Sequence, residues 1–195
     1  MIMSLFDRAA PLFAVTLDRR WRPEDVTRIA GLLRPFVPVG GRLLDVGGGT
    51  GGLAVRLLPL LDASVTILDP SAAMMRRVPR RRALVTVQGT AESMPFPGDT
   101  FDAVVVSDAF HHFRDLTTSV SEMVRVTRPG GGVLILEIDP SGWRRPLVWA
   151  ERLVGEPGHF FRKDDFCAFM AAHKAPGDCV KHGLLGYYYV GTVTA

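Results

Sequence analysis

Leu43-Leu44-Asp45-Val46-Gly47-Gly48-Gly49-Thr50-Gly51 runs an apolar segment directly into a glycine turn. Leu43, Leu44 and Val46 suit a buried parallel strand, because strands covered on both faces read as near-continuous apolar runs. Gly47, Gly49 and Gly51 lack the Cβ atoms that would hold a ligand off the backbone. Leu53-Ala54-Val55-Arg56-Leu57-Leu58 then reads as a helix whose N-terminal amides face the same ligand. Strand, turn and helix in this order predict a site for a nucleotide-type cofactor.

The glycines alone do not choose the cofactor. Gly47-x-Gly49-x-x-Gly52 also satisfies the dinucleotide fingerprint, and Asp69 lies near the distance expected of a ribose-binding acid. Asp45, two residues before the first glycine, argues against NAD. A carboxylate there repels a pyrophosphate and attracts the amino group of the methionine moiety of S-adenosylmethionine. Two further segments point the same way, Phe101-Asp102-Ala103-Val104-Val105-Val106-Ser107 and Arg128-Pro129-Gly130-Gly131-Gly132-Val133-Leu134-Ile135-Leu136. A β-rich C-terminal tail is the third sign. At these residues the chain resembles the class I S-adenosylmethionine-dependent methyltransferases, in the branch that includes the ubiquinone/menaquinone C-methyltransferases. The resemblance runs from about Phe6 to the C-terminus and is strongest over residues 42–139.

Bulk properties set wide bounds. A chain of 195 residues suits one domain with a sizeable core. Its net charge of +3 does not by itself imply nucleic-acid binding. Cys167 and Cys179 are the two cysteines, which excludes a disulfide framework and a four-cysteine zinc site. No run reaches the ~18 apolar residues of a membrane span, and Asp7 and Arg8 interrupt the N-terminus. Cytoplasmic residence, without a membrane span, is the expectation. The oligomeric state is left open.

Apolar and β-branched runs alternate with helical stretches. Strands are expected at 42–46, 64–68, 83–87, 102–107 and 133–138, with helices at about 50–61, from near Ser71, and at about 115–126. Pro129-Gly130-Gly131 reads as a turn into the fifth strand. The predicted class is α/β: a Rossmann-like doubly wound sheet, mostly parallel with an antiparallel C-terminal strand, and helices on both faces. Right-handed crossovers then gather every strand's C-terminal end on one edge, where ligands bind. A single domain over residues 1–195 is expected. Residues 1–40 form a helical lid, including a helix from Pro23 to about Leu33. Residues 42–139 form the cofactor core, and residues 140–195 supply substrate-side helices and a terminal strand pair. Trp143 to about Ala172 reads as two helices split by Gly155-Glu156-Pro157-Gly158. Cys179–His182 and Tyr187–Val190 read as the strand pair around a Gly183/Gly186 turn.

The resemblance implies that Asp45 engages the cofactor's methionine end. Asp69 ends the second strand, where two carboxylate oxygens match a ribose cis-diol. The alternative for Asp69 is a helix N-cap, but after Pro70 it is Ser71 that stands in the better capping position. Thr90, Ala91 and Glu92 follow the third strand. Family members often carry Asp where Thr90 stands, so the adenine contact falls to the Ala91 amide, with Thr90 as a neutral acceptor. Glu92 reads either as a cofactor contact or as a surface acid. Ser107 leaves the fourth strand at the binding edge, its backbone facing the methionine end.

Asp108, His111 and His112 follow on the substrate side. His111 is the candidate general base for a phenol or enol acceptor, with Asp108 orienting it or binding the acceptor. His111 and His112 lack a third ligand at a telling distance, so no metal is predicted. Phe110, Phe113, Trp143, Trp149, Phe160 and Phe161 are candidates for an apolar acceptor pocket or for core. The segment around Phe13 resembles the opening of the quinone C-methyltransferases, which usually carry Tyr at that position. Arg76-Arg77-Val78-Pro79-Arg80-Arg81-Arg82 reads as a solvated face rather than a nucleic-acid site.

These residues predict methyl transfer to a small-molecule acceptor, with O, N or C unresolved. The sulfonium is already a good leaving group, so alignment is the main task. The rival reading from another class is a non-catalytic protein that binds S-adenosylmethionine or S-adenosylhomocysteine as a sensor or partner subunit. An NAD-dependent oxidoreductase is the third.

Overall fold

The computed structural model describes residues 21–138, 159–182 and 186–195. In chain order the elements are α1 (Pro23–Leu33), β1 (Arg42–Val46), α2 (Gly52–Leu61), β2 (Ser64–Asp69), α3 (Ala72–Met75), β3 (Leu84–Gln88), β4 (Phe101–Ser107), a 3-10 turn (Phe110–His112), α4 (Leu116–Val126), β5 (Thr127–Ile138), α5 (Lys163–Ala172), β6 (Gly177–His182) and β7 (Gly186–Thr192). The seven strands form one sheet in the order β3-β2-β1-β4-β5-β7-β6. The first five strands run parallel, while β7 is antiparallel to both β5 and β6. This is the doubly wound architecture expected.

Period-two alternation distributes side chains between two cores. Leu44, Val46, Val104, Val106, Val133, Ile135, Tyr187 and Tyr189 enter one, with α4 and α5 residues such as Val120, Met123, Phe166 and Met170. Leu43, Val65, Ile67, Ala103, Val105, Leu134 and Tyr188 enter the other, under α1 and α2. Each fully buried leucine or valine contributes roughly 1.5–3 kcal/mol by leaving water. Both faces of β1 and β4 are therefore covered, which is why these strands read as unbroken apolar runs.

Local signals explain the helix starts. Pro23 occupies the first turn of α1, Glu24 and Asp25 face its positive end, and Val26, Ile29, Ala30 and Leu33 form a buried stripe at helical spacing. These four side chains pack into the core beneath the sheet. Of the lid expected over residues 1–40, residues 1–20 lie outside the described residues. Ser71 caps α3 by accepting a hydrogen bond from Met74 N, as expected, although α3 is a single turn. Asp115 caps α4 through Thr118 N.

One boundary differs from expectation. β5 begins at Thr127, pairs there with Phe101, and passes through Pro129-Gly130-Gly131 before resuming at Ala103–Gly132 with a shift of register. The Pro-Gly pair thus makes an irregularity inside a strand instead of a turn before one. β3, one residue later than expected, is an outer strand with Val85 exposed. The helix expected after Trp143, together with Trp143, Trp149, Gly155 and Gly183, lies outside the described residues.

Candidate functional site

The parallel strands end on one edge, and the chain reverses direction of winding between β1 and β4. Such a switch point opens a crevice at the C-terminal ends of the two strands. The glycine turn fills the β1 side of it. Gly47 N donates to Leu68 O at 2.7 Å and Gly51 N to Gly48 O at 2.9 Å. Gly47, Gly49 and Gly51 have φ of +71°, +55° and +77°, conformations that L side chains adopt at a cost.

The three glycines differ in what a side chain would meet. A Cβ on Gly47 would lie 2.6 Å from Ala109 Cβ, and one on Gly51 2.9 Å from Ile67 Cδ1. At both positions a side chain would strike neighbouring protein. Among the described residues a Cβ on Gly49 would meet only Asp69 Oδ2 at 3.9 Å, so of the three Gly49 is the one that no other described residue crowds. Gly48, which the motif left unassigned, lies over Asp45: a Cβ there would be 2.7 Å from the Asp45 carboxyl carbon. Asp45 is accordingly buried beneath the turn at 1% exposure.

Asp69 closes the turn from the other side. Its Oδ2 accepts from Gly49 N and its Oδ1 from Ser71 N, each at 2.8 Å. Gln88 at the end of β3 donates to Pro70 O at 3.0 Å and holds the Asp69-Pro70 corner. No motif had marked Gln88. Gly51, the N-cap of α2, provides no side-chain cap for the helix amides.

The loop after β3 is braced from below. Thr90 bridges to Ser93, and Ala91 is buried beside Leu68. Glu92 Oε1 accepts from Arg114 N at 2.8 Å. Burial pushes the Glu92 carboxyl up, but backbone amides at Glu92 and Arg114 and the Thr90 hydroxyl outweigh it and hold it below its ordinary range. Glu92 thus ties this loop to the segment before α4.

The other half of the edge is built where β4 and β5 end. Ser107 is the last residue of β4 and pairs with Leu136. Asp108 has a left-handed backbone, φ +55°, and its N–H donates to Leu136 O at 3.0 Å. Phe110 anchors the following turn by packing edge-on against Phe166, with centroids 5.2 Å apart. The turn carries His111 into contact with Glu137 on β5. His111 Nδ1 lies 2.9 Å from Glu137 Oε2 and 3.1 Å from Oε1, with the two residues 2% and 5% exposed. Phe160 stacks on the imidazole at 4.8 Å and 21°, and His159 N donates to His111 O at 3.2 Å. Glu137 thus occupies the orienting position considered for Asp108. Its signal was a lone acid interrupting Leu134-Ile135-Leu136-Glu137-Ile138 at the binding edge.

His112 is half-buried beside His111, with ring centroids 4.0 Å apart. Burial, reinforced by His111, lowers its pKa to about 4, while Asp108 pulls the other way. Among the described residues no cluster of His, Cys, Asp or Glu has the arrangement of a metal site. No helix of the described residues is long and apolar enough to cross a membrane.

What this fold and turn define is a methyltransferase domain of class I, the S-adenosylmethionine-dependent kind. Residues 44–135 match the methyltransferase domain family, and the chain is similar to the ubiquinone/menaquinone C-methyltransferases. It is 33% identical over 146 residues to a ubiquinone/menaquinone biosynthesis C-methyltransferase of Coxiella burnetii, covering 70% of this chain and 56% of that protein. It is 32% identical over 169 residues to a demethylmenaquinone methyltransferase of Roseiflexus sp., covering 80% and 64%. The chain therefore spans well under two thirds of the length of the first of these relatives and just under two thirds of the second.

Solved structures that match the fold include two methyltransferases. One is an S-adenosylmethionine-dependent methyltransferase, possible histamine N-methyltransferase, from Thermotoga maritima, with TM-score 0.74, 19% identity and 98% and 99% of the two chains covered. The other is human N-acetylserotonin methyltransferase in complex with S-adenosylmethionine, with TM-score 0.70, 15% identity and 85% and 52% covered. The cofactor of this class is S-adenosylmethionine. The Asp69 carboxylate beside the Gly49 turn has the acceptor oxygens that suit the hydroxyls of an adenosine ribose.

Proposed function

We propose that the protein transfers a methyl group from S-adenosylmethionine to a small-molecule acceptor. The observation that carries this is the Gly49–Asp69 pair, a backbone turn held against a carboxylate at the switch point of the sheet. When bound, S-adenosylmethionine supplies an electrophilic methyl on a sulfonium. Asp69 then accepts from the ribose hydroxyls, with Pro70 shaping the corner. Ala91 and Thr90 border the adenine, and Glu92 holds their loop in place. Asp45, Gly47, Gly51 and the Ser107 backbone position the methionine end. His111 accepts the acceptor's proton where one must leave, and Asp108 borders the acceptor.

The two cysteines are free thiols, which supports a reducing, cytoplasmic setting. Arg76, Arg77, Arg80, Arg81 and Arg82 are all exposed, which supports a solvated face and a reaction without nucleic acid.

Calorimetry with S-adenosylmethionine and S-adenosylhomocysteine, followed by an untargeted methyl-acceptor screen, tests the reading. Micromolar binding of both and a methylated product are expected. Binding without turnover on any acceptor would favour the sensor alternative.

A further inference from the structure

We propose that Glu137 is a positioning residue that fixes the proton of His111 on Nδ1. The inference rests on the methyl-transfer reading for its purpose, but not for its geometry. Both Glu137 oxygens lie within 3.1 Å of His111 Nδ1, and an ionised carboxylate only accepts hydrogen bonds. Nδ1 is then the donor in every protonation state of the ring. The neutral imidazole carries its lone pair on Nε2, and the proton that comes and goes is the one on Nε2. The His111 amide, 3.4 Å from Oε1, approaches the same carboxylate, and Phe160 stacked on the ring restrains its rotation.

The arrangement has a consequence for a general base. A histidine free to choose its tautomer spends part of its time with Nε2 protonated and unable to accept. Glu137 removes that population. As the acceptor reacts, its bond to hydrogen breaks, an N–H bond forms at Nε2, and the electron pair stays on the acceptor's nucleophilic atom. The imidazolium so formed lies against the Glu137 carboxylate, which stabilises it electrostatically. Asp108 precedes the turn and is not required for this step.

Nitrogen-15 correlation spectroscopy of the labelled full chain reads the tautomer directly, with no acceptor or cofactor added. His111, assigned by the loss of its signals in His111→Gln, is expected as the Nδ1–H form in the wild-type protein. Nε2–H as the dominant neutral form would overturn the proposal. In Glu137→Gln the Nδ1–H population should fall. Once an acceptor is known, kcat should drop roughly 10–100-fold. KM and S-adenosylhomocysteine affinity should change little, and Glu137→Asp should recover part of kcat. Unaltered kcat in folded Glu137→Gln counts against the positioning role. If Glu137→Gln fails to fold, the wild-type spectrum still decides. A wild-type protein showing Nδ1–H but no turnover on any acceptor would sink the methyl-transfer reading and leave the tautomer assignment standing.

Discussion

Asp69 Oδ2 and Gly49 N meet at 2.8 Å, so the acid that ends β2 also fixes the turn that follows β1. In the proposed function one side chain therefore serves ligand and loop together. Asp69→Ala should weaken S-adenosylhomocysteine binding by about 1.5–3 kcal/mol, the scale of hydrogen bonds to a charged group. It should also lower the melting temperature, because the Gly49 and Ser71 amides lose their acceptor. Asp69→Asn, which keeps one acceptor oxygen, should fall between. Calorimetry and thermal denaturation on the same preparations check this, and full affinity in a folded Asp69→Ala protein would remove Asp69 from the site.

Gly47 and Gly49 should separate stability from binding. At Gly47, φ is positive and a methyl group would strike Ala109, so Gly47→Ala should cost about 2–4 kcal/mol in urea unfolding. At Gly49 a methyl group would meet no described residue closer than 3.9 Å, so Gly49→Ala should lose only about 1–2 kcal/mol from its left-handed backbone. Its penalty should fall on cofactor affinity, and Gly49→Val should abolish binding. Equal destabilisation of the two alanine variants would contradict this division.

His112 should make the fold acid-sensitive. Its pKa is about 4 in the native chain and about 6.5 when unfolded. Between these values the unfolded state binds more protons, so stability rises with pH across that window. The contribution is complete above about pH 6.5, declines as pH falls toward 4, and changes no further below. By pH 5 the loss should be up to about 2 kcal/mol. His112→Gln should flatten that part of the urea-midpoint profile. An unchanged slope in the variant would show that other groups carry the acid response.

The basic run should bind nucleic acid no better than micromolar at physiological salt. Gel-shift titrations with duplex and single strands, repeated across salt concentrations, measure it. Tight binding with a steep salt slope, lost when Arg80, Arg81 and Arg82 are neutralised, would overturn the small-molecule reading.

The sheet and its turn were legible because their signals are local. β1, β2 and β4 are apolar or β-branched runs bounded by Gly, Asp-Pro or Ser, and the order of motifs follows the order of strands. What was not legible depends on pairing between distant segments. Pro129-Gly130 signals a turn by composition, yet Thr127 is held in the sheet by Phe101, 26 residues earlier. The roles of Gly47 and Gly51 depend on Ala109, Ile67 and Val78, which no spacing along the chain brings near. The His111–Glu137 contact likewise spans 26 residues and joins two strand ends that are adjacent only in space. Residue types told which chemistry the edge supports, and topology told which side chains share it.

The strand order β5-β7-β6 imposes an order of events on a chain made from its N-terminal end. β6 leaves the ribosome before β7, but its place in the sheet exists only after β7 has paired with β5. Until then β5 presents a bare row of backbone donors and acceptors beside Val133 and Ile135, a template on which another nascent chain can pair. Vectorial synthesis thus leaves this side of the molecule exposed longest. Truncations or stalls before Tyr187-Tyr188-Tyr189 should yield aggregates rather than a smaller folded core.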